Sequence, residues 1–333
     1  MPGRVIHVLK FKKMATDKNQ HLECVLNSHK ITKEKALLDK HIEKRKEVKE
    51  ALEEKYGGNL YTPFNTGSYA KNTAVNKKFD FDLMAPFKRD AFDTLEKMFN
   101  DVYDFLNEKY KGEAFVIKQK VSIGLDFYAD ADGDSVKIDV VPGRELNQDQ
   151  YKDDEKLNLY VYDQFGNIDK GSDRLQSNVK AQINNIKERA TAEKDSIRKV
   201  IRLLKVWKIY NTKRVKSFFI DLITIKAFDK NEITGDTWDK LKSVMEFIRD
   251  EVKKVSLPDP GNSNNDVGDT LTDAEKGTLS DDMKHMIDRI EEDSDYIKTY
   301  FPVNSKFPCE DEKDDKYEEK KKGMSVPPPT RFG

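Results

Sequence analysis

Gly67-Ser68-Tyr69-Ala70-Lys71-Asn72-Thr73, followed after a polar link by Asp80-Phe81-Asp82-Leu83-Met84, is the stretch that decides the fold. In its second half two acids alternate with apolar residues. That is the period of a strand, so Asp80 and Asp82 share one face while Phe81 and Leu83 share the other. Neighbouring carboxylates repel unless a cation sits between them. Mg²⁺ fits, because it takes hard oxygen ligands and leaves positions for substrate phosphates. Gly67-Ser68 can offer backbone N–H groups and a hydroxyl to a phosphate. Residues 61–64 read as a short strand leading into this turn, 69–76 as a short helix and 79–86 as the Asp-x-Asp strand.

A third acid belongs with these two. Val136-Lys137-Ile138-Asp139-Val140-Val141 alternates, and Pro142-Gly143 is expected to end it. If this strand lies beside the first, three carboxylates converge on one pair of metal ions. That is the arrangement for in-line phosphoryl or nucleotidyl transfer. Asp126, in Gly124-Leu125-Asp126-Phe127, competes for the third place. Bound to metal, the acceptor hydroxyl loses its proton more readily, and Asp139 would help to take it.

Further along stand Leu203-Leu204-Lys205-Val206-Trp207-Lys208, Lys216-Ser217-Phe218-Phe219 and Asp259-Pro260. Gly-Ser, Asp-x-Asp and a later strand Asp resemble the polymerase-β-like nucleotidyltransferases. With the Lys-x-Trp-Lys helix and the Ser-aromatic pair, residues 35–308 resemble the bacterial cGAS/DncV-like nucleotidyltransferases (CD-NTases). Ile138 to Pro142 matches the family pattern, which favours Asp139 over Asp126.

The resemblance implies an α+β, bilobal polymerase-β-like fold: a mixed-sheet N-lobe with a long spine helix, and a helical C-lobe. It implies two Mg²⁺ ions, with Mn²⁺ as a substitute, on Asp80, Asp82 and Asp139. Gly67, Ser68, Lys205 and Ser217 would hold the triphosphate of a donor NTP (ATP, GTP, UTP or CTP), and Phe218 would stack on its base. The family has Tyr where this chain has Phe218, so the stacking face is kept and the phenol hydrogen bond lost. Asp221 stands where relatives often have Glu and reads as structural; Trp207 reads as core. Lys71 and Thr73 read as helix surface or weaker phosphate contacts. The implied product is a cyclic di- or trinucleotide messenger of anti-phage (CBASS) signalling, bound by a downstream effector. The same acids also serve enzymes that add nucleotides to RNA or protein, and a non-catalytic nucleotide-binding scaffold is the third reading.

Composition sets the frame. The chain has 333 residues, enough for two lobes, and 36% of them are charged. Lys+Arg 60 against Asp+Glu 61 gives a formal charge of −1, which argues against stable binding of long nucleic acid. No apolar run is long enough to cross a membrane, and the N-terminal residues lack a signal-peptide apolar region. Cys24 and Cys309 fall in peripheral segments and read as thiols in a reducing cytoplasm. The five histidines show no zinc-ligand spacing.

Four segments follow. Residues 1–31 are expected to be an arm with one apolar patch, Val5-Ile6-His7-Val8-Leu9. Residues 32–172 form the catalytic lobe. Its spine helix spans 32–56, where Leu38, Ile42, Val48, Leu52 and Tyr56 recur at helical steps; Thr32 with Lys33-Glu34-Lys35 is expected to cap it and Gly57-Gly58 to stop it. A second amphipathic helix spans 92–110, and strands are expected over 114–118, 120–128, 135–141 and 157–162. Asp132-Gly133 predicts a hairpin. Residues 173–309 are expected to be helical over 175–192, 197–210, 217–228, 237–255 and 271–297, with a loop at 258–265. Residues 310–333 are a charge run ending in Pro327-Pro328-Pro329-Thr330-Arg331-Phe332-Gly333, a composition that packs no core. Gly333 has two readings. One is a frayed terminus; the other, implied by relatives, is a carboxylate joined to a target by an E1/E2-like conjugating partner.

Overall fold

A computed structural model of the chain describes residues 15–77, 80–163 and 173–309. The apolar patch at residues 5–9 and the tail with Gly333 lie outside these. In chain order, α1 (Lys18–Ser28) and the spine helix α2 (Lys35–Tyr56) precede β1 (Phe64–Thr66) and the single turn α3 (Gly67–Ala70). Then come β2 (Phe81–Phe87), α4 (Leu95–Lys109), β3 (Ala114–Lys118), β4 (Ile123–Phe127), β5 (Lys137–Glu145), α5 (Tyr151–Asp154), β6 (Leu157–Tyr160) and β7 (Arg174–Ser177). The helical lobe follows as α6 (Val179–Lys187), α7 (Thr191–Tyr210), α8 (Ser217–Lys230) and α9 (Thr237–Glu251). A hairpin of β8 (Pro258–Asp259) and β9 (Asn262–Asp266), then α10 (Asp273–Glu292) and α11 (Ile297–Tyr300), complete it.

The sheet has the order β1-β2-β5-β4-β3, and β6 pairs with β5 and carries β7. Only β2 and β5 run parallel; every other pair is antiparallel. The sheet is therefore mixed, as expected. One face is packed by α2 and α4. Phe81, Leu83, Ile138 and Val140 meet Val48, Leu52, Met98, Phe99, Val102 and Leu106 in one core. Phe81, Leu83, Ile138 and Val140 point into this core, so Asp82 and Asp139, which alternate with them, point to the other face, where Met84 and Val141 join a smaller core.

A second core fills the helical lobe, built from Val200, Leu204, Phe219, Ile223, Leu241 and Met283 among others. Leu22 and Val25 of α1 belong to it, so residues 18–28 are no arm. Asp17 caps this helix, its side chain accepting from Gln20 N at 2.9 Å. The spine helix begins later than expected: residues 31–33 make a 3₁₀ turn, and Glu34, within the expected cap region of residues 32–35, is the N-cap.

Three more boundaries differ from expectation. The strand into the Gly-Ser turn is 64–66 rather than 61–64, set by pairing with β2 from Phe64↔Met84 to Thr66↔Asp82. β5 runs through Pro142-Gly143 instead of stopping there. Pro142 falls between two ladders on that edge, after β4 ends at Val140 and before β6 begins at Gly143. At Gly143 a Cβ would come within 3.0 Å of the Leu157 and Leu159 side chains, so a glycine lets β6 close on the strand. Residues 174–177, expected as helix, form β7; the helix starts only after Asn178, whose side chain accepts from Ala181 N. The Asp132-Gly133 turn is as expected, with Gly133 at φ +81°.

Cys24 and Cys309 are joined in a disulfide, with Cα atoms 6.0 Å apart. The expectation of two free thiols is corrected. The residues after α11 run back along the end of α1: His29 Nε2 lies 3.1 Å from Pro302 O, and Asn304 N donates to Ser28 Oγ at 3.1 Å. No local pattern could show a pairing across a separation of 285 residues. Closing so long a loop removes on the order of 5 kcal/mol of unfolded-state entropy. Reduction is therefore expected to lower the melting temperature by several degrees. Differential scanning fluorimetry with and without reductant, against Cys309→Ser, checks this; a reductant effect that persists in Cys309→Ser would point elsewhere.

Candidate active site

The parallel pairing of β2 with β5 puts Asp82 directly beside Asp139. Asp80 stands one residue before β2, at the same parity as Asp82. The three acids expected from sequence are thus brought to one end of the sheet face opposite α2 and α4, while Met84 and Val141 further along that face pack on Tyr151, Leu157, Leu159 and Val179. The acids burden one another. Burial, then Asp80 and Asp139, push Asp82 up to about 7, against the pull of Lys71 and Lys205. Burial and Asp80 push Asp139 up to about 6, although the Gln119 amide donates to its Oδ1 at 3.2 Å. Half-buried carboxylates that resist ionising are a hard-oxygen donor set for a divalent cation.

Gly67 lies against this set. It follows Thr66, the register partner of Asp82, and has φ +64°. A Cβ at Gly67 would overlap Asp82 Oδ2 and sit 2.6 Å from Cγ. The turn therefore reaches the acids only because residue 67 has no side chain. Ser68 follows in α3, and Thr73 N closes the turn on Ser68 O at 2.9 Å.

The opposite wall comes from the helical lobe. Gly67, Ser68, Asp80, Asp82, Lys205, Ser217 and Phe218 all line one cavity of about 630 Å³. Ser217 and Phe218 are the first two residues of α8, whose N-terminus has no side-chain cap. The start of this helix thus borders the cavity, and the N–H groups and dipole of a helix start suit an anion. Lys208 Nζ lies 3.1 Å from Ser217 Oγ. One Phe218 face has Lys71 Nζ at 4.9 Å from the ring centroid.

Lys205 is not the solvated helix lysine that its position next to Leu204 would suggest. It is buried, 3.1 Å from Asp221 Oδ1, and donates to Thr73 Oγ1 at 2.9 Å. Sequence reasoning undervalued two residues of this cavity. Lys71 is buried rather than helix surface, and Asp221, read as structural, lies on the cavity between the two lysines. Only the sequence closeness of Lys71 to Gly67 hinted at the first. Asp259, part of the motif in the helical lobe, is buried and accepts from Gln182 Nε2 at 2.9 and 3.0 Å and from Gly261 N at 2.7 Å. It positions the β8–β9 hairpin against α6 and is not on the cavity. Asp126 pairs with Lys137 on the exposed sheet face, leaving Asp139 as the third acid of the set.

Two other features compete and are weaker. Among the described residues, the acids whose oxygens all lie within 4.8 Å of one another are Asp130, Asp132 and Asp134, in the β4–β5 hairpin. They could hold a metal, but Lys40 Nζ already lies 2.7–2.8 Å from all three. A cavity of about 590 Å³ between α8 and α9 contains none of the expected residues. Among the described residues no helix is long and apolar enough to cross a membrane.

No protein-family model matches the chain, and no curated protein matches it. Solved structures do. The structure of E. coli MS115-1 CdnC with ATP superposes with a TM-score of 0.66 at 19% identity, covering 89% of this chain and 99% of that one. The Elizabethkingia meningoseptica CdnE cyclic dinucleotide synthase with GTP and Apcpp gives 0.60 at 17% identity, over 81% and 98%. Vibrio cholerae DncV cyclic AMP-GMP synthase, in complex with the linear intermediate 5′ pppA(3′,5′)pG, gives 0.59 at 12% identity, over 88% and 92%. The chain has the two-lobed α+β fold of the CD-NTases.

Proposed function

We propose that this protein is a template-free nucleotidyltransferase that joins nucleoside triphosphates into a cyclic di- or trinucleotide. The observation that carries the reading is one cavity with two chemically opposite walls. Asp80 and Asp82, with Asp139 paired beside them, form one wall. Lys205, Ser217 and the uncapped start of α8 form the other. A substrate that is both metal-binding and polyanionic satisfies both walls, and an NTP is such a molecule. The cyclic nucleotide synthases among the similar folds support the same substrate class.

Asp80, Asp82 and Asp139 would hold divalent cations, Mg²⁺ or Mn²⁺, which would offset the charge on the reacting phosphate and acidify the attacking hydroxyl. The protein's own groups do the rest. Gly67 and Ser68 present N–H groups and a hydroxyl to the donor phosphates, while Lys205 and Ser217 hold them from the other wall. Phe218 offers its ring to the donor base. The acceptor's 2′- or 3′-hydroxyl oxygen attacks the α-phosphorus in line. A P–O bond forms to the acceptor, the bond to the bridging oxygen breaks, and pyrophosphate leaves with that electron pair. Asp139, in register beside Asp82, is placed to receive the hydroxyl proton. A second turn of the same chemistry closes the ring.

We place the reaction in the cytoplasm, where NTPs are made, in anti-phage (CBASS) signalling with an effector that binds the product. Gly333 lies outside the described residues.

The test is direct. Purified protein is incubated with all four NTPs and Mg²⁺ or Mn²⁺, treated with phosphatase and analysed by mass spectrometry. The expected product is a phosphatase-resistant cyclic oligonucleotide whose bases identify the substrates. Nucleotide added instead to RNA or protein would replace this reading with the corresponding transferase. Nucleotide binding without pyrophosphate release would replace it with a scaffold.

A further inference from the structure

Lys71, Asp221 and Lys205 come from three elements: the turn after α3, α8 and α7. They meet at the floor of the cavity, with exposures of 8%, 2% and 5%. Lys71 Nζ donates to Asp221 Oδ2 at 2.6 Å, and Lys205 Nζ lies 3.1 Å from Oδ1. One carboxylate thus sits between two ammonium groups. We propose that Asp221 is a positioning residue that clamps Lys71 and Lys205 together as a two-lysine cradle, which makes Lys71 a second cation for the substrate triphosphate. This rests on the nucleotidyltransferase reading and deepens it.

The charge count supports the cradle. Two ammonium groups and one carboxylate leave one positive charge in a nearly dry place. Buried charge is retained at a cost unless a partner meets it. Both lysines border the cavity, so the remaining charge faces the space where a polyanion would enter. The lysines are also aimed. Lys205 spends its other donors on Thr73, on Oγ1 at 2.9 Å and on the carbonyl oxygen at 3.4 Å, and Lys71 is held over the Phe218 ring. An ammonium group has three donors, so Lys71, with one on Asp221, retains capacity for a phosphate oxygen.

Asp221 also keeps Lys205 usable. Burial pushes Lys205 down from its ordinary range, with Lys71 adding to the push and Asp221 resisting it. Burial acts to raise Asp221, but the two lysines outweigh it and hold the carboxylate below its usual range. Asp80 and Asp82 face Lys205 across the cavity, and their charges too favour the ammonium form. The clamp joins the lobes as well: Lys71 belongs to the sheet lobe, Asp221 and Lys205 to the helical one.

Inorganic tripolyphosphate isolates this function from base recognition. It is titrated calorimetrically, with Mg²⁺, into the full chain and into Asp221→Asn, Lys71→Gln and the double variant. If Asp221 merely subtracts charge from the cavity, Asp221→Asn binds tripolyphosphate more tightly. The clamp gives the opposite result: at least tenfold weaker binding for Asp221→Asn and for Lys71→Gln. The double variant should lose less than the product of the two single effects, because the residues act as one unit. Lys71→Gln leaves the Asp221–Lys205 pair intact, so it carries the test if Asp221→Asn does not fold. Binding by the variants that equals or exceeds wild type overturns the clamp and leaves the nucleotidyltransferase reading standing. Failure of wild type to bind tripolyphosphate and all four NTPs overturns both.

Discussion

Asp82→Asn is expected to abolish nucleotide joining, by a factor of at least about a thousand, and at the same time to stabilise the metal-free protein. The first effect follows from removing the central member of the acid set, which electrostatic stabilisation of phosphoryl transfer needs. The second follows from linkage. Asp82 is pushed up to about 7 in the fold by burial and by its two acidic neighbours. Its unfolded value is near 4. Below pH 4 it is protonated in both states and costs nothing. Between pH 4 and 7 the folded state holds the proton more tightly, so stability falls as pH rises and the loss is complete above 7. At pH 8 the charged carboxylate costs the metal-free fold on the order of a few kcal/mol.

Asparagine keeps the shape and removes that cost, so its melting temperature at pH 8 should exceed that of wild type by several degrees. Added Mg²⁺ should stabilise wild type more than the variant, because only wild type gains the full ligand set. Thermal melts at pH 5 and pH 8, with chelator or with Mg²⁺, read all of this. Product formation undiminished in Asp82→Asn would falsify the metal assignment. A variant less stable than wild type at pH 8 under chelator would show instead that Asp82 is held by a stabilising partner.

Gly67→Ala is expected to cost about two orders of magnitude in turnover for a single methyl group. Two physical effects add. The residue stands at φ +64°, where an L side chain costs on the order of 1–2 kcal/mol. The added Cβ would also collide with the Asp82 carboxylate, so either the turn or the acid must move. Displacements of about 1 Å at a reacting centre cost on the order of a hundredfold in rate. The loss should appear mainly in kcat, with the melting temperature only modestly lowered. Gly57→Ala is the control: it too has positive φ, at +49°, but a Cβ there meets nothing within 4 Å. If the two variants lose activity equally, backbone strain rather than proximity to Asp82 explains Gly67.

Much of this site could be read before any coordinates. Asp80 and Asp82 were legible because strand alternation is a local property: two acids among Phe81, Leu83 and Met84 cannot all face a core. Asp139 was legible for the same reason. Ser217 and Phe218 were legible only through resemblance, since no periodicity marks a residue as the uncapped start of a helix. The misplaced ends of β5, and β7 read as helix, have one cause. Pro142-Gly143 and Arg174–Ser177 take their structure from β6 lying between them, which local preference does not contain.

By itself the sequence determined the alternation that sends Phe81, Leu83, Ile138 and Val140 to one sheet face and Asp82 and Asp139 to the other, and the helical periodicity of α2, α4 and α7. It also determined the glycine that permits the turn at residue 67. These depend on neighbours a few residues away, where backbone geometry dictates which side chains share a face. Only the tertiary structure decided that Asp139 lies in register with Asp82, that Cys24 meets Cys309, and that Lys71 and Lys205 share Asp221. Each of these joins residues far apart along the chain. Their meeting is set by how two lobes with separate cores close on one cavity, a balance of packing that no single segment encodes.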